Sequence, residues 1–412
     1  MNDCTKGLKS VGLSIPTILL PNKQIDLHKW AVVACDQFTS EPEYWEDVEK
    51  IVANSPSTYR IILPEVYLEA PDKMDRINFI NQEMQFYLDE QILMPTVNGF
   101  ILIRRKLKHG VIRTGLLVAL DLDDYNYTPN SKTLIRATEK TVLERIPPRI
   151  LIRENAPIEV PHIMVLIDDP LKKVIEPIAD FVLKSNRMPI YDTELMLTGG
   201  HVTGYEITDM VLIEQIAQSL ESIKKSDGFL MAVGDGNHSL ATAKQCWEKI
   251  KPTLNACEIQ NHPARFTMVE INNIFDEGLC FEPIHRIVVS IDRDDLLSFI
   301  SGNGPEITIT FGDETRTIRL KEKPSHLVVG VLQLLLDEYL SIHPNGKIDY
   351  IHGEQAIRKL SVSNDSIGFL LQPMNKQELF TTVQMDGALP RKTFSMGEAE
   401  EKRYYLECRR IK

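Results

Sequence analysis

The chain has 412 residues, 43% hydrophobic and 25% charged, a composition that excludes a largely disordered or fibrous protein. Its 46 basic and 58 acidic residues leave a net charge of -12, which argues against an extended nucleic-acid surface, because phosphate binding wants clustered lysine and arginine. The cysteines (Cys4, Cys35, Cys246, Cys257, Cys280, Cys408) form no CxxC pair. No window reaches the roughly 18 apolar residues of a membrane span, so reduced thiols, a cytoplasmic location, no export signal and no membrane partner are expected.

In chain order, Trp30–Ala34 reads as a first strand, and an acidic helix follows from Glu43 to Val52. Tyr59–Leu63 reads as a strand ended by Pro64, and Asp75–Ile92 as a long helix. Phe100–Arg105 and Thr114–Leu120 read as paired strands turning at His109-Gly110. Thr133–Arg136 is extended, and a short helix from Thr138 to Ile146 is expected to stop at Pro147-Pro148. Ile163–Ile167 suits a buried strand, and a helix spans roughly Pro170–Lys184. Strands follow at Leu195–Leu197 and Tyr205–Ile207. Ile213, Ile216, Ala217, Leu220 and Ile223 then recur at helical spacing behind a cap at Thr208 or Asp209. Phe229–Val233 is an all-apolar strand. The last third alternates strands (Phe266–Glu270, Ile307–Thr310, Thr317–Leu320) with a helix at Val328–Tyr339, and closes on the strand Gly368–Gln372 and a charged tail.

The fold class expected is mixed α/β. Single cores stop growing at about 250–300 residues, so several domains are expected. Soft boundaries near 130 and 265 give an N-terminal α/β region (1–130), a central core (131–265) and a C-terminal α/β region (266–412), without proper linkers between them.

The most informative stretch is Met231 to Lys244. A buried strand runs into a turn holding Gly234 and Gly236, and a helix follows with Leu240, Ala243, Trp247 and Ile250 on its apolar face. Glycine permits positive φ and close approach of a ligand, and the unpaired amides at a helix start attract anions. Asp235 and His238 stand at the mouth of that turn. Asp and Asn beside glycine are also ordinary turn residues, and Asn237 or Ser239 would then only cap the helix. The stretch is neither a Walker A loop nor a dinucleotide fingerprint, since Ser239 stands where a third glycine would be.

A second candidate is Arg136-Ala137-Thr138-Glu139-Lys140-Thr141. Arg136 has the planar fork that grips phosphate or carboxylate, and Glu139 can take a proton from a hydroxyl. Alternatively, Thr138 is an N-cap with Glu139 in the first helical turn. No HxH, HExxH or Cys–His cluster appears, so a tight zinc site is not expected. Asp168-Asp169 suits either Mg²⁺ held through phosphates or a helix cap. Cys35-Asp36-Gln37 follows the first strand, where it can line a pocket.

Together these segments resemble the family called domain of unknown function 1015. Its members carry an Asp-Gly-His-His-Arg turn, here Asp235-Gly236-Asn237-His238-Ser239, and an Arg-Pro-His-Glu-x-Thr stretch, here Arg136 to Thr141. Weaker echoes are Pro283-Ile284-His285-Arg286, Tyr350-Ile351-His352-Gly353, Gly368 to Met374 and Leu389 to Phe394. The two central motifs are also similar to those of the ParB/sulfiredoxin nucleotide-binding superfamily and its free serine kinases.

That resemblance implies a ParB/sulfiredoxin-like core binding ATP or ADP with Mg²⁺. By position, Gly234, Gly236, Asn237, His238 and Ser239 would hold phosphate with Arg136 and Thr138. Asp235 would position the metal or the substrate, and Glu139 would act as general base, with Asp235 and His238 completing the catalytic set. Asp36, Gln37, Arg60 and Lys392 are taken as substrate-facing. Ser239 replaces the family arginine and cannot supply a guanidinium charge, so Arg286, Lys244 or Lys392 would substitute for it. The function expected is phosphoryl transfer from a nucleotide to a serine- or lactate-like hydroxyl. A non-catalytic nucleotide switch and a hydrolase using His238 on a small anion are the other readings.

Overall fold

Phe100 and Leu102 alternate with Ile101 and Ile103, and all four are buried, so the strand that carries them must be covered on both faces. The computed structural model describes residues 3–39, 41–141, 143–390 and 392–412. Position 142, inside the expected short helix, and Arg391 lie outside them. Strands β1 (Leu13–Ser14), β2 (Phe100–Lys106), β3 (Ile112–Asp121), β4 (Tyr125–Asn126), β5 (Ile135–Ala137), β6 (Met164–Ile167), β7 (Tyr191–Glu194), β8 (His201–Ile207), β9 (Met231–Asp235) and β10 (Phe266–Asn273) form one ten-stranded sheet. Its order is β7-β8-β2-β3-β10-β6-β9-β5-β4, with β1 on β3. Strand β9 runs antiparallel to β6 and parallel to β5.

The helices that matter for the site are α1 (Pro42–Val52), α2 (Lys73–Asp89), α3 (Ile146–Arg153), α4 (Glu176–Lys184), α5 (Met210–Ile223) and α6 (Asn237–Ile250). One core joins Ile101 and Ile103 to Trp30, Trp45, Tyr87 and the C-terminal Tyr404, Tyr405 and Leu406. The other joins Phe100 and Leu102 to Ile213 and Ile216 of α5 and to Leu240, Ala243 and Trp247 of α6. The helical face read from Leu240, Ala243, Trp247 and Ile250 is therefore the one that packs, and Asp209 caps α5 through the Val211 amide at 2.8 Å.

The chain divides into two compact units, not three domains. The first comprises 1–137, 141–279 and 398–412, and the second 138–140 and 280–397. The boundary at 130 does not exist in the fold, because the large sheet draws strands from both sides of it. In the second unit, β11 (Phe281–Val289), β12 (Ser301–Phe311), β13 (Glu314–Leu320), β14 (Lys347–His352) and β15 (Ser366–Leu370) form a sheet in the order β13-β12-β15-β11-β14, with β16 (Phe394–Met396) on β11. Helix α7 (Val328–Ile342) packs Leu332, Leu335 and Leu336 against Val288, Ile309 and Phe369. Among the described residues no helix is long and apolar enough to cross a membrane, and the described cysteines are free thiols.

Several local expectations give way to tertiary structure. Trp30 ends a short helix (Leu27–Trp30), leaving only Val32–Val33 as strand. The expected strand at 59–63 is a 3-10 turn (Thr58–Ile61), held because Thr58 Oγ1 donates to the Trp30 carbonyl at 2.7 Å. Pro147-Pro148 opens α3 instead of stopping a helix, a position where the missing N–H costs nothing. Leu197 and Thr198 have φ of 49° and 62°, so the chain leaves the sheet there and the strand is Tyr191–Glu194. The helix expected from Pro170 starts at Glu176, because Asp169 Oδ2 accepts from the Lys173 and Val174 amides and holds a turn first. Asp168 pairs with Lys225 at 2.5 Å, so this acidic pair is built into the turn.

Candidate functional site

The site is set by how β9 becomes α6. In register, Asp235 lies opposite Met164 and Val233 beside Ala137, so the strand ends inside the sheet and must turn at once. Gly236 makes the turn at φ 77°, ψ 28°, in the left-handed region. A Cβ there would sit 3.1 Å from the Ile163 Cα and Cγ1 and 3.4 Å from the His162 Cδ2. Backbone conformation and close approach therefore both require glycine. Helix α6 then begins with no side chain capping it, and its first intrahelical bond is Leu240 N–H to Gly236 O at 3.0 Å. The amides of Asn237, His238 and Ser239 precede that bond, at the positive end of a helix of 14 residues.

Charged and polar groups gather at this helix start. Lys402, with only 10% of its side chain exposed, places Nζ 3.3 Å from Asp235 Oδ2. The Gly236 amide donates to Asp235 Oδ1 at 3.0 Å. Asn237 Oδ1 is shielded from solvent without a hydrogen-bond partner. Burial pushes the Asp36 carboxyl up. His162, the Gln37 amide at 3.0 Å and Lys402 together outweigh that effect and hold the group below the usual carboxylate range.

A relay of polar atoms backs the first helical turn. Ser239 Oγ lies 2.8 Å from His162 Nε2, His162 Nδ1 lies 2.9 Å from the Tyr405 hydroxyl, and the Cys35 amide donates to that hydroxyl at 3.0 Å. If Tyr405 donates to Nδ1, then Nε2–H donates to Ser239 Oγ and leaves the serine proton for a ligand. Burial, with Asp36 and Glu65 nearby, drives the Cys35 thiol far up, so it is not a thiolate nucleophile. Beside Ser239 and Thr242 opens a cavity of about 130 Å³.

The sequence-derived residues divide clearly. Asp235, Gly236, Asn237 and Ser239 form this helix start, His238 is in its first turn, Gly234 lies in β9 just before it, and Asp36, bonded to Gln37, feels the charges of Lys402 and His162 beside it. Arg136 does not join them. Its side chain pairs with Asp227 at 2.9 Å, donates to the Thr133 carbonyl at 3.0 Å and stacks over Phe229 at 4.4 Å, toward the opposite end of β9 from the turn. Arg60 is held by Glu49 at 2.7 Å and by the Ala53 carbonyl at 2.5 Å. Lys244 pairs with Glu248 at 2.6 Å, about 10 Å along α6 from its start.

Glu139, Thr138, Arg286 and Lys392 belong to the second unit. There the Lys392 amide donates to Glu139 Oε1 at 3.1 Å, and the Thr138 carbonyl accepts from Leu389 at 2.7 Å. Burial raises the Glu139 pKa against the opposing pull of the Lys392 amide, Lys392 and Arg286. Arg286 is fully buried and donates to the Ile284 and Lys392 carbonyls, the second at 2.8 Å.

Sequence reasoning missed Lys402, His162 and Tyr405. The available signal for two of them was the apolar run Tyr404-Tyr405-Leu406, followed by Cys408, inside 402–409, which suits buried chain better than a solvated tail. Arg403 is buried against Glu270 and Glu407, the second at 2.6 Å. Tyr404 pairs with Val33 and Cys408 with Leu19, which carries the last residues back through the core.

Among solved structures, the chain is similar to a free serine kinase in complex with AMP, at 10% identity and a TM-score of 0.38, over 72% of this chain and 92% of that one. It is similar to C-terminally truncated SbnI from Staphylococcus aureus at 11% identity and a TM-score of 0.36, over 68% and 82%. It is also similar to a conserved hypothetical protein from Pyrococcus furiosus at 12% identity and a TM-score of 0.33, over 70% and 90%. No curated protein matches. The family of proteins of unknown function designated DUF1015 matches residues 19–408, nearly the whole length, and the chain belongs to that family.

Proposed function

We propose that the chain transfers a phosphoryl group from a nucleotide, ATP or ADP, to the hydroxyl of a small hydroxy acid or amino acid. The observation that carries this reading is the uncapped start of α6 at a left-handed glycine, with Lys402 and the partnerless Asn237 Oδ1 on the same turn. Helix-start amides and a shielded ammonium favour a polyanion. In this reading Lys402, not Arg286, Lys244 or Lys392, takes the place of the family arginine.

Mg²⁺ fits the donors present. It prefers oxygen, keeps several waters, and is usually held by one or two carboxylates together with substrate phosphates. Asp235 supplies the carboxylate and Asn237 Oδ1 a neutral oxygen in need of a partner. When bound, such an ion neutralises phosphate charge. The chain's own groups do the rest. Amides 237–239 and Lys402 hold phosphate oxygens, and Ser239 donates to one of them. The acceptor hydroxyl oxygen bonds to the terminal phosphorus and the bond from that phosphorus to the bridging oxygen breaks. The shortened nucleotide leaves with the electron pair, and the hydroxyl proton passes to a carboxylate. Asp36, whose carboxyl is held below the usual carboxylate range by His162, Gln37 and Lys402, is the carboxylate assigned to it in this reading. Glu139, the base implied by the family resemblance, is the competing assignment, and Asp36→Asn and Glu139→Gln variants separate the two.

The test is thermal unfolding with saturating Mg·ATP or Mg·ADP. Ligand at about 100 times its Kd adds about 2.7 kcal/mol, so an unchanged melting temperature refutes the reading. Protection with no phosphorylated product across a hydroxy-acid screen selects a nucleotide switch instead. Lost activity on a small anion in His238→Asn would select the hydrolase.

A further inference from the structure

Next to the first turn of α6, Ser239 and Thr242 form one wall of a cavity of about 130 Å³. Much of the rest of its lining is hydrocarbon, including Ile61, Leu63, Met84, Ile152, Ala156 and Ile158. An apolar cavity of roughly 150 Å³ holds a benzene-sized molecule, so this one takes an apolar body of about four to six carbons. It is much more hydrocarbon than serine or lactate can fill.

Two ion pairs also line the cavity, Arg149 with Glu65 and Arg153 with Glu159, and the Glu159 carboxylate is already engaged by Arg409, Thr267 and the Met268 amide. Arg149 is ion-paired with Glu65, and both side chains are largely buried, 12% and 17% exposed. Of the five N–H donors of a guanidinium, Arg149 gives one to Glu65 and one to the Arg145 carbonyl at 2.7 Å, which leaves donors for a second carboxylate. Burial raises the Glu65 pKa against the opposing pull of Arg149. The cavity thus offers a hydroxyl at Ser239, a carboxylate grip at Arg149 and a mainly hydrocarbon lining.

We infer that this cavity is the acceptor pocket, and that the acceptor is a hydroxy acid with a branched aliphatic or aromatic side chain. The inference rests on the phosphoryl-transfer reading, because the cavity opens beside the turn assigned to the phosphates. A nucleotide base is the other occupant of matching size. It is disfavoured because a base stands a ribose away from its phosphates, whereas this cavity begins at the phosphate-holding turn itself.

The test measures, on the full chain, Mg·ATP protection and acceptor-dependent ADP release with L-serine, lactate, 2-hydroxyisocaproate and phenyllactate. Each is repeated with Ala156→Leu, Ile152→Phe and Arg149→Met. The larger acids are expected to exceed lactate in kcat/KM by about tenfold or more, from the extra methylenes buried. Ala156→Leu should erase that preference while Mg·ATP protection persists, with Ile152→Phe serving if Ala156→Leu does not fold. Arg149→Met should raise KM for every acid. Equal or better use of serine or lactate, with protection intact, overturns the acceptor assignment and leaves the nucleotide reading standing. Loss of Mg·ATP protection in a folded cavity-filling variant assigns the cavity to the base and overturns it too. If Mg·ATP protects nothing, the nucleotide reading fails. Thermal protection by 2-hydroxyisocaproate alone, abolished by Ala156→Leu, would then still support the pocket, and its absence would overturn it.

Discussion

Replacing Gly236 with alanine perturbs the site through one methyl group. The left-handed conformation costs an L-residue about 1–2 kcal/mol, and an alanine also stiffens the unfolded chain, which returns roughly 0.4–1 kcal/mol. The added Cβ would lie 3.1 Å from Ile163 Cα, a backbone atom directly before the central strand β6 that cannot easily move aside. The net loss expected is about 1–2 kcal/mol, or a few degrees of melting temperature. Trp30, Trp45 and Trp247 are all fully buried in the first unit, so tryptophan fluorescence during denaturation reports on that unit alone. Because the turn also aims the amides of residues 237–239, Mg·ATP affinity should fall about tenfold, equivalent to about 1.4 kcal/mol. A Gly236→Ala chain as stable as the parent and with unchanged affinity would refute the argument that this turn's geometry sets both.

Other substitutions separate structural from ligand-facing charge. Arg136→Met should lower stability, because it leaves Asp227 without its buried partner, yet leave Mg·ATP affinity unchanged in titration calorimetry; weakened binding in a folded variant would return Arg136 to the phosphate site. Lys402→Met should weaken Mg·ATP by about tenfold or more, and less so at high salt, while binding equal to the parent's would exclude it as a phosphate group. Glu139→Gln is expected to slow turnover with nucleotide affinity retained if Glu139 is the base, and Asp36→Asn if Asp36 is. Burial opposes ionisation of Glu159, but Arg409 and Arg153 overcome it and depress its pKa to about 2. Its folded pKa is below the unfolded value, so its contribution of about 3 kcal/mol is present above pH ~4.5 and lost as pH falls toward 2. Glu159→Gln should remove most of that pH dependence of stability between those limits, and an unchanged acid profile would contradict the assignment.

What the sequence makes legible is what neighbouring residues decide. The period of Leu240, Ala243 and Trp247 and the apolar run at 231–233 suffice for a strand–turn–helix, and a hairpin at 100–121 follows from two apolar runs on either side of His109-Gly110. Trp30 and Ile61 are buried but sit in a short helix and a 3-10 turn, tied together by Ser57 and Thr58 on the Trp30 carbonyl and by Tyr87 on Ser57, bonds that their own pattern does not encode. At the site, the glycine turn announces itself, while the groups that surround it come from elsewhere in the chain. His162 is a lone histidine before a strand, and Lys402 and Tyr405 sit in a stretch that reads as a charged tail until its arginines are seen paired with Glu270 and Glu159 in the interior. Arg136 shows the converse. A phosphate-gripping fork in a promising motif is held by an aspartate and a phenylalanine that periodicity could not place.

The most direct measurement is a crystal structure of the chain soaked with Mg·ADP. The account predicts a phosphate accepting hydrogen bonds, at about 2.9 Å, from the amides of Asn237, His238 and Ser239, with Lys402 turned from Asp235 toward it. A nucleotide bound elsewhere, with Lys402 still on Asp235 and that helix start touching only water, would contradict it.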